Sequence, residues 1–164
     1  MFTAETLSLA QSVLDRCRAR GWRVATAESC TGGLVAAALT ALAGASDVVE
    51  RGFVTYSNEA KIALLGVPAA IIASHGAVSA EAAAAMAGGA VARGPVDLAV
   101  SVTGIAGPGG GSADKPVGLV HFGLARRDLS CRTERRVFAG DRTVVREAAL
   151  HAALVLLATA ADSE

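Results

Sequence analysis

Ser29 and Cys30, within the run Ala27 to Gly33 (AESCTGG), are the two side chains in this sequence most suggestive of a nucleophile. A second hydroxyl, Thr31, and a flexible pair, Gly32 and Gly33, complete the run. It lies between an apolar, strand-like segment and a strongly helical one, which predicts chemistry at a strand-to-helix turn. N–H groups at a helix start attract anions and stabilise an oxyanion that develops during acyl transfer. The same position admits a plainer role, because a Ser or Thr hydroxyl at a helix start can simply cap the first turn. Glu28 could hold the turn or position a ligand hydroxyl. Cys30 is the rival nucleophile, with no histidine near it in sequence to generate a thiolate.

Thirteen of the fifteen basic residues are arginine, and lysine occurs only at 61 and 115. A lysine amine can lose its proton, which a guanidinium does not do in proteins. Lys61 follows Ser57 and Asn58, either of which suits a helix N-cap, so it falls in a first helical turn. A positive charge at that end of a helix is disfavoured, and burial would push the amine further toward its neutral, basic form. Tyr56, five residues earlier, could relay a proton across a strand-to-helix corner, or could be an ordinary amphipathic residue at a strand edge.

The segment Thr103 to Ser112 (TGIAGPGGGS) holds five glycines. It has neither the GK[ST] of a Walker loop nor a GxGxxG followed by a helix. At the carboxyl end of an apolar strand it suits a ligand, since open α/β sheets bind ligands there; a mobile surface turn is the alternative. Arg142 and Arg146, four apart at the start of the last helix, suit an anionic partner or a surface ion pair. His75, His121 and His151 stand apart from one another, and no metal-ligand spacing or redox-cofactor fingerprint is present.

The elements that must position these groups follow from periodicity. Thr3 to Arg20 repeats apolar residues at helical spacing and stops at Gly21. Strands are predicted at Trp22 to Thr26, Arg51 to Tyr56, Pro95 to Val102, Pro116 to Ala125 and Cys131 to Phe138, the last two as an antiparallel pair. The charges Arg132, Glu134 and Arg136 assign one solvated face to the final strand. Helices are predicted at Leu34 to Ala43 (buried, with Ser29 to Thr31 at its start), after Ser57, near Pro68 to Ser74, after Ser79, and from Asp141 to about Ala158, leaving a frayed Asp162 to Glu164.

With 164 residues and fifteen charges of each sign, the chain reads as one domain, 1–164. Its scattered basic residues argue against nucleic acid as the main partner. No stretch approaches the ~18 apolar residues of a membrane span. Three separated cysteines form neither a disulfide framework nor a zinc site, which suits a reducing, cytoplasmic setting.

Together these motifs resemble the CinA carboxyl-terminal domain family, whose characterised members include nicotinamide-nucleotide amidohydrolases. The resemblance is carried by AESCTGG, VTYSNEAK (Val54 to Lys61), GAVS (Gly76 to Ser79), TGIAGPGGGS, KPVG (Lys115 to Gly118) and FAGDR (Phe138 to Arg142), in that order. It implies a three-layer α/β/α sandwich with a mixed sheet, homo-oligomeric association, no cofactor or metal, and deamidation of a pyridine nucleotide, nicotinamide mononucleotide, as part of pyridine nucleotide salvage. It marks Ser29 as nucleophile, Lys61 as base and Tyr56 as a hydrogen-bonding or proton-relay partner. It places Glu28, Cys30, Thr31, Gly32, Gly33, Asn58, Thr103, Gly104, Gly107, Gly109 and Arg142 at the substrate. A nucleotide-binding module without turnover, or a partner protein in competence or DNA damage, are the alternatives.

Overall fold

The computed structural model describes residues 2–163. Its first helix, α1 (Ala4–Arg20), starts where Thr3 Oγ1 accepts the Thr6 N–H and stops at Gly21 in the left-handed region. The stripe Ala10, Val13, Leu14 and Cys17 is wholly buried. Next come β1 (Val24–Glu28), α2 (Leu34–Thr40), β2 (Val49–Val54), α3 (Asn58–Leu65), α4 (Ala69–His75), α5 (Ala80–Ala92), β3 (Leu98–Gly104), β4 (Leu119–Arg126), β5 (Arg132–Val137) and α6 (Arg142–Asp162).

The five strands form one sheet in the order β2-β1-β3-β4-β5. β1 runs parallel to both β2 and β3, whereas β4 is antiparallel to β3 and β5. Helices α1, α2 and α6 pack on one face and α3, α4 and α5 on the other, giving the three-layer sandwich. β1 is flanked by the strand that follows it and by a later one, so its carboxyl end is a topological switch point, where such sheets open a crevice. In register, Glu28 sits between Val54 and Val102, and Ser29 is the first residue beyond it.

Close helix-to-sheet approach rests on small residues. A Cβ on Gly123 would stand 2.2 Å from the Ala83 carbonyl of α5. There Ser101 Oγ donates to Ala83 O at 2.6 Å and accepts the Gly123 N–H at 3.0 Å. α6 is long and apolar, and ten of its residues are buried, packed chiefly against α1 and β3.

Several expectations shift. β1 begins two residues later than predicted and runs into the AESCTGG motif, while β2 ends at Val54. α2 stops at Thr40 and buries only Val35, Ala38 and Leu39, so it is half-covered rather than enclosed. On β5 the charged row Arg132, Glu134 and Arg136 is on balance the less exposed one; Thr133, Arg135 and Val137 are all exposed. Asp162 is the last helical residue, and Glu164 lies outside the described residues.

Candidate active site

Glu28 is fully buried at the end of β1, and its carboxylate caps α2. Oε2 accepts the N–H groups of Gly33 and Val35 at 3.0 and 3.1 Å, and Oε1 accepts that of Ala36 at 2.9 Å. Gly33 is the N-cap, with a φ of 98° and no capping side chain. The expectation that Ser29 or Thr31 caps this helix is therefore corrected: Glu28 does so from the preceding strand, with both carboxylate oxygens engaged by helix amides. A carboxylate with two oxygens reaches three amides of the first turn, more than a single serine hydroxyl could.

Released from capping, Ser29 Oγ faces Lys61. Nζ of Lys61 lies 3.1 Å from Ser29 Oγ, 2.9 Å from Thr55 O and 3.5 Å from Ser57 O. Ser57 caps α3 by accepting the Ala60 N–H, and Lys61 leans back toward the helix start, as helical side chains do. Its side chain is 1% exposed and, among the described residues, forms no ion pair. Burial holds the ammonium below the ordinary lysine pKa, and a smaller opposing effect comes from Cys30. A neutral amine has two N–H donors and one lone pair. The two carbonyls suit the donors, leaving the lone pair for the serine hydroxyl.

Cys30 is 6% exposed, and burial pushes its thiol up to about 11, so it is protonated at neutral pH. Its side chain packs in the core with residues of α6, which counts against it as rival nucleophile. Thr31 is also enclosed, with its hydroxyl unpartnered.

The turn's backbone is more informative than its side chains. Arg146, from α6, donates to Cys30 O and Thr31 O, both at 3.1 Å; it binds carbonyls rather than an anion. Across a planar trans peptide the N–H points opposite to the carbonyl, so the Thr31 and Gly32 N–H groups point away from Arg146. Gly32 N–H donates to Ser29 O, and Gly33 N–H goes to Glu28. Cys30 and Thr31 N–H have no acceptor among the described residues. Of the amides at a helix start expected to serve an oxyanion, near Thr31 to Gly33, those of Gly32 and Gly33 are thus engaged within the turn and that of Thr31 is not.

The remaining expected residues divide. Arg142 Nη2 donates to the Tyr56 hydroxyl at 2.8 Å and Nη1 to Gly107 O at 2.9 Å, pinning the glycine loop to the β2–α3 corner. Tyr56 is 59% exposed and bonds to Arg142, not to Lys61 or Ser29. A cavity of about 430 Å3 adjoins Arg142, walled by Ala106, Pro108, Val117 and Gly140. Thr103 is buried and donates to Ala77 O at 2.7 Å, and Gly104 has no room for a Cβ beside Leu119 O. Gly109 is exposed with open space around it, and Asn58 is exposed with no side-chain hydrogen bond among the described residues. Sequence reasoning missed Thr55, whose carbonyl holds Lys61, because a backbone acceptor leaves no mark on residue type. Arg146 was visible only as a charge.

A family model described as "CinA C-terminal domain" matches residues 6–161. The Escherichia coli K12 protein named nicotinamide-nucleotide amidohydrolase PncC is 49% identical over 157 residues, which are 96% of this chain and 95% of that one. A CinA-like protein of Syntrophobacter fumaroxidans is 50% identical over 149 residues, 91% of this chain but 35% of the relative's length. Among solved structures, the competence/damage inducible protein CihA of Agrobacterium tumefaciens superposes with a TM-score of 0.95 at 46% identity, covering 99% of both chains.

Proposed function

We propose, from the premise that the chain belongs to the CinA C-terminal domain family, that it is an amidohydrolase converting nicotinamide mononucleotide to nicotinate mononucleotide and ammonia. Relatives spanning nearly its full length, and about half identical to it, bear the name nicotinamide-nucleotide amidohydrolase. The observation that carries the chemistry is Lys61 Nζ, 1% exposed and without a counter-ion, 3.1 Å from Ser29 Oγ.

Ser29 Oγ attacks the carboxamide carbon while Lys61 takes its proton. The tetrahedral oxyanion receives the Cys30 and Thr31 N–H groups. Collapse breaks the C–N bond, Lys61 returns the proton to nitrogen, and ammonia leaves a nicotinoyl ester on Ser29. Water, deprotonated by Lys61, attacks that ester and restores the serine. A histidine is not needed, since serine–lysine pairs perform the same roles. Arg142 and Tyr56 form the rim nearest the glycine loop and would contact the nucleotide's sugar-phosphate end. Such a reaction belongs to pyridine nucleotide salvage, and the three unpaired thiols suit a cytoplasmic site.

The same reading includes self-association. Val54, Tyr56, Ile62 and Leu64 are exposed large side chains clustered in sequence on β2, the following turn and α3, which supports an interface beside the site.

The test is ammonia release from nicotinamide mononucleotide by the purified protein and three variants. Ser29→Ala and Lys61→Met should each lose roughly 100-fold or more in kcat, while Cys30→Ala retains most turnover. Nucleotide binding without ammonia release from the unaltered protein would instead make it a binding module.

A further inference from the structure

Lys115, one of the two lysines, and two of the three histidines take no part in the site above, yet they meet in one place. A cavity of about 280 Å3 lies between the start of α5 and the β4–β5 hairpin, walled among others by His75, Glu81, Lys115, His121 and Arg135. That is close to the roughly 300 Å3 at which small-ligand pockets begin.

His121 is 8% exposed, and neither ring nitrogen has a partner among the described residues. Nδ1 is completely enclosed and unpaired, so the ring reaches the cavity through its Nε2 edge. Burial, with Arg135 and Lys115 nearby, lowers its pKa from the ordinary histidine value, against a smaller opposing pull from Glu81. A neutral imidazole has one N–H, and an enclosed Nδ1 without an acceptor leaves Nε2 as its better site, giving a donor directed at the cavity.

Arg135 stands directly across from His121 in the β4–β5 register, and its guanidinium has no acceptor among the described residues. Lys115 Nζ uses one of its three donors on His75 O, at 2.6 Å. α5 is thirteen residues long. Ser79 Oγ caps it at Ala82 N, while the N–H groups of Ala80 and Glu81, both at the cavity wall, have no acceptor among the described residues. Four kinds of donor thus converge on one space: helix amides, an imidazole, an ammonium and a guanidinium. Thr103, which stands beside His121 in the sheet, holds the Ala77 carbonyl of the loop that leads into α5.

We propose that this cavity is a second, non-catalytic anion site that takes a phosphate group. Two carboxylates oppose it. Asp114 is exposed at the rim, and Glu81, about half exposed, lies 3.4 Å from His75 Nδ1. Solvent screens both more strongly than it screens the buried donor.

The probe is inorganic phosphate, titrated by calorimetry into the whole protein at fixed ionic strength, with ribose 5-phosphate as a second ligand. Saturable binding is expected, weakened at least tenfold by Arg135→Ala, unchanged by Arg142→Ala and strengthened by Glu81→Gln. Turnover in Arg135→Ala should match the unaltered protein. Tighter binding of ribose 5-phosphate would identify a phosphomonoester as the occupant, and equal or tighter binding of phosphate the free ion. His121→Phe, which keeps a ring in the same space, supplies the same tenfold test if Arg135→Ala does not fold. The proposal is overturned by the absence of saturable binding, by phosphate affinity indifferent to Arg135 and His121, by affinity that tracks Arg142 instead, or by a Glu81→Gln variant that binds more weakly.

Discussion

Lys61 sits where its charged form is disfavoured, and this has consequences for both turnover and stability. Burial lowers its folded pKa below the ~10.4 of a free lysine. Below the folded pKa the amine is protonated in both folded and unfolded chains, and the whole penalty for burying its charge is present. As pH rises from the folded value toward ~10.4, the unfolded chain holds the extra proton and the penalty disappears. The stability of the unaltered protein relative to Lys61→Met should therefore rise with pH in that window; urea melts of the two proteins at stepped pH would detect it, and a constant difference would count against a depressed pKa. In the same window kcat/KM should rise to a plateau with an inflection below ~10.4. Neither Ser29 nor Lys61 could be assigned by residue type alone. The rarity of lysine singled out position 61, but the Thr55 carbonyl that holds its amine is a backbone group and invisible in sequence.

Among the elements, the turn between β1 and α2 depends on Glu28. Replacing it with Gln keeps one oxygen but turns an NH2 toward either the Ala36 amide or the Gly33 and Val35 pair. A donor facing a donor costs about 1–3 kcal/mol at a buried site, so Glu28→Gln should melt earlier. Its kcat should fall more than its KM rises, because Cys30 and Thr31 follow in the same turn. Unchanged melting would mean that the carboxylate does not hold the helix. Caps at Ser57, Ser79 and Asp141 were legible because each precedes its helix directly and accepts from the first turn, whereas Thr3, which caps α1, was read as part of its helix. Glu28 was legible only as one of two possibilities, since its bonds reach five to eight residues ahead across a double-glycine bend. The three-layer order was implied by family resemblance. The alternation on β5 misled because both rows of this edge strand reach water: Arg132 is exposed and Glu134 and Arg136 are only partly covered, while Thr133, Arg135 and Val137 opposite them are exposed throughout.

For the whole molecule, the exposed Ile62 and Leu64 on α3 bear on assembly. Light scattering on the eluting protein should give a mass above the 16.4 kDa of one chain, and Leu64→Glu should shift it toward a monomer; a monomeric unaltered protein would remove the interface from the reading. The path of the chain also sets when the site is completed. Ser29 and Lys61 are 32 residues apart, but the arginine that fixes the carbonyls after the serine arrives from α6, more than a hundred residues further on. During synthesis the nucleophile and its base emerge well before α6, so the carbonyls of the turn have no clamp until that helix has docked. A chain stopped short of α6 would thus carry both the serine and the lysine without the arginine that sets the turn between β1 and α2.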